Sequence, residues 1–198
     1  MLTKDAEIRH QLKEEINHKF ANTDSIVINE LDVCNGTARI DIAVINCALH
    51  GYEIKSDKDT LERLPKQMEA YNRFFDYITV VCGQKHLEEI SKRIPEYWGI
   101  SEAIQQSDAV FINSIRKPKQ NEEIEAKALL QMLWRNEILF VLKQLDCNKQ
   151  IFKYPKFNLV QFLINNMKLE DIQSYVRVCL KARPLDWRPD AQRMICDG

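Results

Sequence analysis

Two carboxylates and an ammonium stand in a segment whose pattern leaves little room for charge. Ala38–Ile45 is the clearest strand in the chain, and Gly51–Ser56 runs back from a turn near residue 48 as its antiparallel partner. Alternation puts Ile40, Ile42 and Val44 on one face and Asp41, Ala43 and Ile45 on the other. On the partner strand Gly51, Glu53 and Lys55 share a face, and Asp41 is expected opposite residues 54–55. Strands are depleted in Asp, and two carboxylates ~5 Å apart repel by roughly 3 kcal/mol at an effective dielectric of ~20. A divalent cation is the natural compensation. Mg²⁺ is hard, prefers oxygen, and takes one or two carboxylates plus waters. The same acid-x-Lys spacing recurs at Glu125-Ala126-Lys127, inside a polar connector, where a solvated surface explains it.

The flanking elements must position these groups. Ile8, Leu12, Ile16 and Phe20 recur every fourth residue and predict a helix over 4–20. Ser25–Leu31 is a short strand ending at the Cys34-Asn35-Gly36 turn. A helix opening at Pro65 and ending near Phe75 carries Gln67 and Tyr71 one turn apart. Tyr77–Val81 is a buried strand, 85–93 a helix, and Trp98–Ile104 and Ala109–Ile115 two further strands. The polar stretch 116–127 reads as a connector, followed by helices over about 122–145, 157–167 and 169–182. The order is α-β-β-β-α-β, then α and two β, then helices. This divides the chain into an α/β unit over 1–117 and a helical subdomain over 118–198.

Composition narrows the function classes. The 198 residues are 45% apolar and 29% charged, so the chain buries a core. A net charge of −1 argues against non-specific coating of nucleic acid but allows a local basic face. Arg63, Arg116 and Lys117 are candidates for such contacts, and Arg177, Lys181, Arg183 and Arg188 make the tail basic. No apolar run of ~18 residues predicts a membrane span, and the charged start lacks the apolar core of a signal peptide. Six cysteines without a C-x-x-C pair fit reduced thiols and a cytoplasmic setting. Trp134 and Trp187 read as core residues. Glycine-rich phosphate loops are missing, which argues against a nucleotide-cradling enzyme.

With these elements in place, the segments Arg39-Ile40-Asp41-Ile42 and Gly51-Tyr52-Glu53-Ile54-Lys55-Ser56 resemble the PD-(D/E)XK, or restriction-endonuclease-like, nuclease superfamily. Glu7 on the first helix and Gln67-x-x-x-Tyr71 resemble further motifs of that superfamily. Residues 52–64 with Pro95 and Trp98-Gly99 resemble a little-characterised bacterial branch. Ile40 stands where the motif has proline. The resemblance implies an α/β fold with an αβββαβ restriction-endonuclease-like core, a mixed central sheet and a C-terminal helical appendage. It implies a Mg²⁺-dependent deoxyribonuclease, with Mn²⁺ as substitute, acting on DNA rather than RNA. Asp41, Glu53, the Ile54 carbonyl and Glu7 would hold metal. Asp41, Glu53, Lys55 and Gln67 would be catalytic, and Arg63, Tyr71, Arg116 and Lys117 would touch the strand. The alternative is a catalytically silent nucleic-acid-binding or protein-interaction module on the same fold, with a homodimer or protein partner docked on the helical part.

Overall fold

Six strands lie side by side in the order in which the chain makes them. β1 (Ile26–Val33), β2 (Ala38–Ile45) and β3 (Leu49–Lys55) form an antiparallel meander. β4 (Tyr77–Gly83) and β5 (Gly99–Gln106) add in parallel, and β6 (Ala109–Arg116) closes the sheet antiparallel. Parallel neighbours need crossovers, and these carry α2 (Leu64–Asn72) and α3 (Gln84–Arg93). The computed structural model describes residues 2–107, 109–145 and 147–184. Trp187, Arg188 and Cys196 lie outside the described residues. Among those described, no helix is long and apolar enough to cross a membrane.

One face of the sheet is partly covered by α1 (Asp5–Phe20). Its Ile8, Leu12 and Ile16 are buried against Ile42, Val44, Ile54 and Val81. The other face meets α2 and the C-terminal helices: α4 (Ala126–Met132), α5 (Arg135–Leu142), α6 (Lys156–Asn166) and α7 (Leu169–Ala182). Tyr71, Phe74, Phe75 and Trp98 are fully buried there, in one apolar cluster with Leu129, Ile138, Leu159 and Val176. Each large side chain so buried contributes about 1.5–3 kcal/mol. Gly51 fits closely at its place, since a Cβ would come within 3.1 Å of the Phe75 ring and the ring would have to give by a few tenths of an ångström.

Three expectations are corrected. The helix expected over 122–145 is two helices, because Leu133 and Trp134 are both extended. Trp134 is 44% exposed rather than core. The connector 116–127 is tied down at Asn121, which is 3% exposed and donates from Nδ2 to the carbonyls of Asn72 and Phe75.

Candidate functional site: a charge-dense cleft where two strands part

Strict alternation fails on β2 at Asp41. Ala38 and Ile40 before it, and Ala43 and Ile45 after it, all enter the cluster beneath α2, while Ile42 faces α1. The partner strand breaks at the same level. Asn29 pairs with Ile42 and Leu31 with Ile40, and Glu30 between them adopts φ +55°. The β2–β3 ladder stops at Ile42–Tyr52, whereas β3 stays paired to β4 through Lys55. Beyond Tyr52 the side chain of Asp41 replaces the missing ladder bond, accepting the Ile54 N–H at 2.7 Å. A polar cleft of about 680 Å³ opens here.

The three groups singled out in the sequence do converge on this cleft, by way of side chains from α1 and α2. Lys55 Nζ donates to Glu53 Oε1 at 2.7 Å and to Gln67 Oε1 at 3.0 Å. Gln67 Nε2 donates to Glu53 Oε1 at 2.6 Å, and the Tyr71 hydroxyl lies 2.7 Å from Glu53 Oε2 and 2.6 Å from the Arg39 carbonyl, its one hydrogen shared between the two acceptors. Asp41 Oδ1 accepts from Arg9 Nη2 at 2.6 Å. Every carboxylate oxygen of the pair thus has at least one protein donor. Burial raises the Asp41 pKa, opposed by the Ile54 N–H and by Arg9. Glu53 is 2% exposed, and burial together with the Asp41 charge pushes it up to about 7 against the pull of Lys55.

The other expected site residues divide. Arg63 lines the cleft. Tyr71, expected on a nucleic-acid strand, is fully buried behind it, with its phenol pKa raised by burial and by Glu53. Glu7, expected on a metal, pairs at the surface with Lys4 at 2.9 Å, and the α1 carboxylate that lines the cleft is Asp5. Arg116 and Lys117 line a different groove, beside α1. Sequence reasoning missed Arg9, which bridges Asp5 on its own helix and Asp41 on β2. The i,i+4 spacing of Asp5 and Arg9 was the only available signal. Six carboxylates and four cationic side chains line the cleft. Among the described residues no group of three or more His, Cys, Asp and Glu is placed to hold a metal.

Fold and site define a mixed α/β chain, with a six-stranded sheet whose parted strands open onto a cleft of mixed charge. The chain belongs to the bacteriophage P4 protein cII family, whose match spans residues 2–187. Protein cII of Enterobacteria phage P4 is 28% identical over 184 residues, covering 92% of this chain and 68% of that protein. No solved structure matches. This membership overturns the assignment to the PD-(D/E)XK superfamily, and with it the deoxyribonuclease activity and the hydrolase class. That likeness rested on short motifs and an order of elements in the first part of the chain, whereas the family match covers nearly the whole chain. Asp41, Glu53, Lys55 and Gln67 all line the cleft.

Proposed function

We propose that the chain binds DNA without hydrolysing it, and that the polar cleft takes backbone phosphates. The supporting observation is the mixed charge of the lining. Arg39, Lys55, Lys58 and Arg63 can meet phosphate oxygens, but six carboxylates outnumber them. A phosphate enters such a cleft only with added positive charge. One Mg²⁺ or Mn²⁺ would be held by Asp41 and Glu53 with the Ile54 carbonyl, displacing the donors that now occupy both carboxylates, and two carboxylates is a number that Mg²⁺ commonly accepts. When bound, the ion supplies the charge that lets a phosphate oxygen approach. Arg9 would compete with it for Asp41, and Glu53 would have to be ionised to accept it.

Fluorescence anisotropy with labelled duplex DNA tests this reading, with Mg²⁺ or with a chelator. Chelation and Asp41→Asn are each expected to weaken binding at least tenfold, and Arg63→Ala several-fold. The DNA is expected to be recovered at full length. Binding indifferent to both chelator and Asp41→Asn would overturn the proposal.

A second reading, a protein partner on the helical part, is favoured by Phe140 and Val178. They are 45% and 51% exposed beside Trp134, around a shallow apolar pocket of about 280 Å³. Phe140→Ser should then abolish any self-association or partner capture seen by sedimentation.

A further inference from the structure

α1 does not cover the whole sheet face on which it lies. A groove of about 970 Å³ runs between its C-terminal half and the strands β3 to β6. The groove floor carries the hydroxyls of Tyr52, Thr79, Ser101 and Ser114. Among the described residues none of these four hydroxyls is engaged in a side-chain hydrogen bond. At one end of the groove the His50 and Tyr77 rings stack with centroids 5.0 Å apart and planes 17° from parallel. Phe20 stands at 6.0 Å from the same imidazole. The rim carries Lys19, Arg116 and Lys117, and among the described residues none of the three is in an ion pair. Arg116 is fixed by its own donors, from Nε to the Trp98 carbonyl at 2.7 Å and from Nη2 to the Pro95 carbonyl at 3.0 Å.

These features select an occupant. An apolar helix laid in the groove would strip water from four hydroxyls and repay none of them. An anionic ligand with flat, polar-edged rings repays all of them. Bases stack on aromatic rings, hydroxyls meet base edges, and cations meet phosphates. We propose that this groove is a second binding site, for single-stranded nucleic acid, with a base against His50 and Tyr77 and the backbone along Arg116 and Lys117. Glu14 and Glu15 stand on the helical wall and keep phosphates to the β6 side. His50 is held near pKa 4 by burial and by Lys19, so its ring is neutral at physiological pH and stacks as an uncharged imidazole. The site is independent of the polar cleft and of any metal there.

The test uses the full chain and labelled ten-nucleotide single strands of DNA and RNA, in chelator, where the cleft is expected to be silent. Binding should survive chelation and Arg63→Ala. It should weaken about tenfold in Tyr77→Leu, the loss expected for one base-stacking contact. Lys117→Glu, at an exposed position, should also weaken it several-fold and make the salt dependence shallower. Thermal melts check that both variants fold. Loss on chelation or with Arg63→Ala would overturn the proposal by placing the strand in the cleft. Equal affinity in Tyr77→Leu and Lys117→Glu would also overturn it. So would a wild-type chain that binds neither strand but forms a dimer broken by Tyr77→Leu, which would put a second copy in the groove.

Discussion

Glu53 sets the charge balance of the cleft. Its folded pKa of about 7 lies above the ordinary carboxylate value of 4.5. The folded state therefore holds a proton that the unfolded state has released between those values. Stability falls as pH rises through this window, by about 3 kcal/mol in full, and the loss is complete above pH 7. Glu53→Gln keeps an acceptor for Lys55 and Gln67 and donates to the Tyr71 hydroxyl instead of accepting from it. The wild-type minus variant difference in urea midpoint, measured from pH 5 to 8 in chelator, should shrink as pH rises, because the depressed His50 gives both chains the same opposing slope up to its unfolded value of 6.5. A difference that stays constant would show that another group titrates. Asp41, Glu53 and Lys55 were legible in the sequence because charge inside a strand pattern breaks a local rule. Arg9 was not, because its partner Asp41 is 32 residues away and only the packing of α1 brings them together.

At the scale of elements, one buried ion pair holds the helical part to itself. Arg183, just past α7, donates from Nε and Nη2 to both carboxylate oxygens of Glu137 on α5, at 2.6 and 2.7 Å. Its guanidinium also lies 4.3 Å from the centre of the Trp134 ring. Glu137 in turn accepts the Trp134 N–H at 2.6 Å, which caps α5 at the break from α4. Removing one partner strands the other charge in the interior. Glu137→Ala is expected to cost about 3–5 kcal/mol in chemical denaturation, more than any single exposed ion pair of α1 or α3. A cost below 1 kcal/mol would mean that water reaches Arg183. The long apolar stripe over 122–145 was visible in the sequence, but its interruption was not. The cap that breaks it depends on Glu137, whose other oxygen is held by a residue more than forty positions later.

At the scale of the whole molecule, the sheet and the C-terminal helices share a single apolar cluster. Asp76, 5% exposed, joins them through polar bonds as well. It accepts the Leu49 N–H at 2.6 Å and the Gln173 amide of α7 at 2.9 Å. The full chain is therefore expected to unfold in one transition by circular dichroism and by tryptophan fluorescence. A fragment of residues 1–117 should lose cooperative melting, since it would expose the face now covered by α4 to α7. A cooperative melt from that fragment would show an independent α/β unit.

Local chemistry alone was enough to place most elements. Period-four and period-two apolar patterns, Pro65 at a helix start and the turn at Gly36 all act over a few residues, and a linear reading captures them. It also flagged the acidic pair, since an unfavourable burial is visible wherever a pattern is violated. The parting of β2 from β3 and the flip of alternation at Asp41 with Glu30 arise between strands, so they came only with the fold. So did the entry of Arg9 and the open half-face beside α1. Family membership is likewise a property of nearly the whole chain. Short motifs on two strands and two helices resembled one superfamily because the physics of neighbouring carboxylates is common to many proteins, and that physics does not say which protein they belong to.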